Sequence, residues 1–174
     1  MELTTLALLV LIPLLVWRIY MRLKPLFARQ ESLMWKHWTG AVGFPLLMVM
    51  SALATINDVL AISCLGAAAL AGGWLARYAL AKTRTETQGR RVFFKPYQRF
   101  GMVICLLFAA RVLGMGIELY LNRQSASPLP LTREMVLLHP ITMAAFGLLA
   151  GYFGYYSLGM LRWRRAQPAL PDLE

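Results

Sequence analysis

The chain has 174 residues, of which 59% are hydrophobic and 15% charged, with a mean hydropathy of +0.56 and a formal net charge of +10. So apolar a composition excludes a water-soluble domain of this size and marks an integral membrane protein. The basic excess does not indicate nucleic acid, because no base-reading element accompanies it and its distribution follows membrane topology.

Five apolar stretches come close to the roughly 20 residues that cross a ~30 Å hydrocarbon layer. They lie at 3–21, 39–56, 59–80, 100–121 and 135–161. They predict an all-α fold, a five-transmembrane-helix bundle in a single membrane domain over residues 1–174, with basic loops at 22–38 and 81–99. Fifteen of the 18 Lys and Arg follow the first stretch, lie at or between the facing ends of the third and fourth, or follow the fifth. Under the positive-inside rule this sets the N-terminus outside and the C-terminus in the cytoplasm.

The first stretch, "MELTTLALLVLIPLLVWRIY", has its positive charges after the apolar run, which argues for a retained helix over a cleaved signal peptide. Pro13 predicts a kink, Trp17 and Tyr20 fit an aromatic interface belt, and Arg18 can snorkel. The following "RQESLMWKHW" reads as a short amphipathic piece along the membrane surface, with His37 an interfacial histidine. The second and third stretches are joined by "TIND", which predicts a tight antiparallel hairpin. Asp58, at its tip, is placed to cap the third helix.

The third and fifth stretches are rich in small residues that let helix backbones approach closely. Gly72 and Gly73 in one, with Gly147 and Gly151 in the other, are the predicted packing positions, facing either a neighbouring helix or another subunit. The loop between the third and fourth stretches, "TRTETQGRRVFF", has Thr-rich and aromatic runs around a glycine, a pattern for a short β-hairpin. Its Arg84, Arg90, Arg91 and Lys95 are candidates to contact anionic headgroups or a partner.

"LLFAARVLGMGIELYLN" in the fourth stretch holds Arg111 and Glu118 on one helical stripe, seven residues apart. A charge at mid-bilayer costs about 2.5–3.5 kcal/mol on insertion scales, so both residues should face the bundle interior. The ~10 Å of helical rise between them is long for a direct bond. Partners from other helices are therefore expected: His139, placed four residues into the fifth helix, Asp58, and the hydroxyls of Ser51, Thr55, Ser63 and Thr142. The expectation is one polar cluster of Arg111, Glu118, His139 and Asp58 in the outer half of the bundle, with Arg111 near the midplane. Such a cluster either fixes helix register or handles protons or a small anion.

Cys64 and Cys105 fall at different depths and form no CxxC, which argues against a disulfide. No HExxH, GxSxG, phosphate-binding glycine loop or haem-ligating histidine pair is present, so no catalytic residue, metal or cofactor is expected.

The third helix ending "GGWLARYALAKT", the loop "TRTETQGRRVFFKP", the arginine of the fourth helix and the ending "GLLAGYFGYYSLGMLRWRR" resemble small bacterial inner-membrane families of unknown function, the CcdC-like family among them. The resemblance covers most of the chain and implies a multi-pass protein of the bacterial inner membrane. The CcdC name also points to cytochrome c maturation and thiol chemistry, for which this sequence has no cysteine pair. The function expected is that of a non-enzymatic accessory, regulatory or immunity-type protein, acting through a membrane protein partner or a second copy within a bilayer of anionic headgroups. The alternative is a transport component coupled to protons or a small anion.

Overall fold

The computed structural model describes residues 14–15, 17–22, 30–31, 34–88, 91–95, 97–124 and 136–166. Helix α1 is described over 14–15 and 17–22. It is followed by strand β1 (Gln30–Glu31), helices α2 (Met34–Ala54) and α3 (Val59–Lys82), strands β2 (Arg84–Gln88) and β3 (Arg91–Lys95), and helices α4 (Gln98–Gln124) and α5 (Pro140–Ala166). Among the described residues four helical segments are long and apolar enough to cross a membrane: Trp35–Ala54, Val59–Lys82, Arg99–Gln124 and Pro140–Ala166. Most of the first predicted stretch, the Pro13 kink and Arg90 fall outside the described residues.

The helix boundaries have local causes. Asp58 is the N-cap of α3: its extended backbone lets Oδ1 accept from the N–H groups of Leu60 at 3.0 Å and Ala61 at 3.1 Å. At the other end Thr83 donates its N–H to the Leu80 carbonyl at 3.1 Å and its hydroxyl to that of Ala79 at 2.9 Å, after which the chain extends into β2. Helix α2 begins at Met34, five residues before the expected start. The predicted surface piece around Trp35 and Trp38 is therefore the first turn of a long helix, in which His37 is buried against the rest of the protein. Arg165, near the end of α5, lies 5.2 Å over the Trp38 ring.

The small sheet adds to the helical prediction. Strands β2 and β3 form the expected antiparallel hairpin, with Arg84 opposite Lys95 and Gln88 opposite Arg91. Strand β1 pairs with the other edge of β3, giving the order β1-β3-β2. This sheet lies beyond the end of the bundle where α3 stops and α4 starts, here the sheet end. The opposite end, where α2 turns into α3, is the turn end.

Helix α5 is the axis of the fold. Helix α3 runs parallel to it in close contact, α2 packs antiparallel on another side, and α4 makes a thinner antiparallel contact. Contact between α2 and α3 is slight despite their short connection, so the tight hairpin predicted from "TIND" is not formed along its length. The reason lies in α5, whose small residues draw each helix inward separately. A Cβ on Gly147 would collide with the Leu65 backbone of α3, and one on Gly151 would fall 2.7 Å from the Ala69 Cα. Gly72 faces the backbone of Leu148 and Tyr152 just as tightly, while Gly154 admits Phe44 and Pro45 of α2 at 3.5 and 3.6 Å. Gly73 is not in this seam, since its nearest neighbour would be the Tyr155 ring at 3.9 Å.

Two buried clusters fill the bundle. Towards the sheet end Ala76, Ala79, Ile104, Tyr152, Tyr156 and Met160 pack together, and the Tyr156 hydroxyl meets the Thr83 hydroxyl at 3.0 Å. Towards the turn end Ala61, Leu65 and Met143 form the second. Cys64 and Cys105 are both free thiols.

Candidate functional site at the turn end of the bundle

Arg111 is the central residue of the 27 in α4, which is why sequence position alone puts it mid-membrane. The packing register puts it elsewhere. The Phe108 and Phe146 rings meet at a tilt with 6.3 Å between centroids, and Arg111 bonds Thr142, so each step forward on α4 is a step back on α5. Extending that register brings Pro140, the first residue of α5, level with about residue 113 of α4. The last eleven or so residues of α4, roughly 16 Å, then project past the start of α5. On this register Arg111 lies close to the level where α5 starts and Glu118 past it, nearer the turn end of the bundle than flush helices would place them. The sequence reading treats the helices as flush, whereas α4 is displaced along its axis.

The two charges bond directly, against expectation. Arg111 Nη1 donates to Glu118 Oε1 at 2.7 Å, and Nε donates to Thr142 Oγ1 at 3.1 Å. Helical side chains lean towards the N-terminus, so Glu118 reaches back along the helix and shortens the gap. Gly114, between them, leaves the path of the guanidinium clear, with Nη1 4.0 Å from where its Cβ would be. The Thr142 hydroxyl donates to the Val136 carbonyl at 3.0 Å and lies 3.8 Å from Met115 Sδ. Thr142 thus links α4, α5 and the helical turn at Val136 and Leu137 that precedes α5. The Arg111 side chain is 14% exposed and that of Glu118 52%. One end of the pair is held in the bundle and the other is presented at its surface.

His139 and Asp58 do not join this pair. His139 is the residue before α5 and not its fourth, because Pro140 takes the first helical position, where its missing N–H costs nothing. The His139 carbonyl accepts from the Met143 N–H at 3.0 Å, and its Nδ1 accepts from the Ile141 N–H at 3.3 Å. Asp58 is held by its own capping bonds. The two caps line a separate hollow of about 370 Å³ at the turn end, together with Thr55, Asn57 and Pro140. The single predicted cluster is therefore two neighbouring polar features at one end of the bundle.

Among the candidate hydroxyls only Thr142 answers Arg111. Thr55 and Ser63 are turned onto their own helices, donating to the carbonyls of Ser51 at 2.8 Å and Leu60 at 2.9 Å. Met115 and Val136 also belong to this site, and nothing in the sequence distinguishes them from other apolar residues. The backbone places Arg84, Arg91 and Lys95 in the sheet. Among the described residues no group of three His, Cys, Asp or Glu side chains is placed to hold a metal.

No curated protein and no solved structure matches the chain. A family model described as CcdC protein matches residues 2–169, nearly the whole sequence. With three membrane-crossing candidates packed about a fourth, α5, and this match over residues 2–169, the chain belongs to the CcdC protein family.

Proposed function

We propose that this CcdC-family member is a non-enzymatic accessory protein of the bacterial inner membrane, with its N-terminus outside and its C-terminus in the cytoplasm, that binds another membrane protein at its outer face. The charge distribution supports this orientation, which makes the turn end the outer one. The binding surface is the projecting end of α4. The observation that carries the reading is the offset of α4: it leaves Tyr120 and Leu121 exposed beside the half-exposed Glu118, past the level where α5 starts. An apolar helix end with one acceptor at its edge suits a partner helix or loop that supplies an apolar contact and a hydrogen-bond donor. Regulation or protection of that partner, as by an immunity protein, belongs to the same class.

A photo-reactive residue at Leu121 should cross-link one protein species in stoichiometric yield, while the same probe at Val49 on the exposed flank of α2 should not. Glu118→Ala should reduce the Leu121 product severalfold without lowering the amount of protein in the membrane. The transport alternative makes a different demand. Purified protein in liposomes that passed protons or a small anion, and lost that flux with Glu118→Gln, would replace the accessory reading. Against transport stands the engagement of Arg111, whose guanidinium is already shared between Glu118 and Thr142.

A further inference from the structure

Helices α2 and α3 diverge after their short connection, and the space between them is an open groove of about 780 Å³, within the size range of small-molecule sites. Its floor is α5 at Ala150, Gly151 and Gly154, and its α3 wall runs from Gly66 to Arg77. The lining is apolar except at the sheet end, where Arg77 contributes the one charge among the lining residues. Among the described residues no carboxylate pairs with Arg77, which is exposed.

Length identifies the occupant. From Gly66 to Arg77 the α3 wall rises roughly 16 Å, about half of the ~30 Å hydrocarbon layer. A partner helix crossing the bilayer would need a groove along the whole layer, whereas an acyl chain occupies one leaflet. Arg77 lies five residues before the end of α3, about 8 Å of helical rise. A guanidinium on its flexible stem reaches headgroup level from there by snorkelling, and it pairs well with phosphate.

We infer that this groove binds one anionic phospholipid, with an acyl chain along Gly66, Gly73 and Gly151 and the phosphate on Arg77. The inference rests on the reading that α2 to α5 span the membrane and is independent of what α4 binds. Its specificity comes from a single charge at the mouth of a one-leaflet groove, so anionic lipid should be distinguished from zwitterionic lipid of the same chains.

The test is native mass spectrometry of the full chain in mild detergent, with phosphatidylglycerol or phosphatidylcholine of identical acyl chains added. One phosphatidylglycerol should be retained at least tenfold better than phosphatidylcholine. Arg77→Gln should bring the two lipids to equal retention, while Arg162→Gln, which changes an exposed basic residue outside the groove, should leave the preference intact. Gly66→Leu and Gly73→Leu have room for a side chain, with nothing within 4 Å of the first and only the Tyr155 ring near the second, and should lower retention of both lipids severalfold. Equal retention of the two lipids by the unaltered protein, a preference insensitive to Arg77→Gln, or retention insensitive to both Gly66→Leu and Gly73→Leu would overturn the site. So would a dimer of the chain that Gly73→Leu dissociates, since the groove would then be a subunit contact. Carbonate extraction of the same variants separates these outcomes from failure of the membrane reading itself, which would appear as release of the protein from the membrane fraction.

Discussion

Helix α5 meets two of its neighbours, α3 and α4, by opposite means. Against α3 it presents Gly147 and Gly151, and the helices approach until backbone touches backbone. Against α4 the contact is thinner, and its most specific element is polar, the bond from Arg111 to Thr142. Close backbone approach gains dispersion contact along the whole seam and tolerates no added atoms. A hydrogen-bonded tie fixes register at one point and leaves the rest of the helix surface open. That difference explains why α3 and α5 run flush while α4 can sit displaced along its axis, with its end available at the rim.

The largest expected effect therefore comes from adding volume to the glycine seam. Gly151→Leu should destabilise the bundle by about 3 kcal/mol or more, because the side chain would meet the Ala69 backbone, which cannot rotate away as a side chain can. Thermal unfolding in detergent should show this as a large drop in midpoint or as loss of monodisperse protein. The companion variant Gly116→Ala, where nothing lies within 4 Å, should be neutral or stabilise by up to about 1 kcal/mol through helix propensity. If Gly151→Leu and Gly116→Ala had the same midpoint, the parallel α3–α5 seam would be wrong.

The polar tie should be worth less. Arg111→Met is expected to destabilise by about 1–2 kcal/mol, discounted from the cost of a fully buried pair because Glu118 is half-exposed. Glu118→Gln alone should have a smaller effect, and the double variant should be less destabilised than the sum of the two, since neither residue then leaves a charge unanswered. Thr142→Val removes the acceptor for Arg111 Nε and the donor to Val136, and about 1 kcal/mol is expected. Strict additivity of Arg111→Met and Glu118→Gln in a double-mutant cycle would mean that the 2.7 Å bond does not operate in solution.

The same contrast governs what could be read from the sequence. Small residues four apart announce backbone contact because no other arrangement uses them so economically, so Gly72, Gly147 and Gly151 were legible as packing sites. Gly73 belongs to the same motif in one dimension and lines the groove in three, because neighbouring helix positions face 100° apart. Asp58 was legible as a cap because capping is local. The hairpin "TRTETQGRRVFF" was legible from its turn residues, but β1 was not, since two residues carry no alternation. The depth of Arg111 was illegible for a different reason. Axial displacement between helices is a property of their contact and leaves no periodicity in either sequence, so Thr142 is legible as a partner of Arg111 while the level at which His139 and Asp58 stand is not.

The smallest effects should come from the two caps that close α3 and α5 at the turn end. Asp58 accepts two N–H groups at 3.0 and 3.1 Å, whereas His139 accepts one at a longer 3.3 Å. Asp58→Ala should therefore destabilise by about 1 kcal/mol and Asp58→Asn by a few tenths, since Asn caps nearly as well. His139→Ala should fall below Asp58→Ala, at about 0.5 kcal/mol, because Pro140 presets the first turn of α5 and supplies no N–H to satisfy. The order also bears on function. If His139 handled protons in transport, His139→Asn, which can keep the cap, would abolish flux while preserving the unfolding midpoint. If its work is local capping, His139→Asn should match the unaltered protein both in stability and in the Leu121 cross-linking yield.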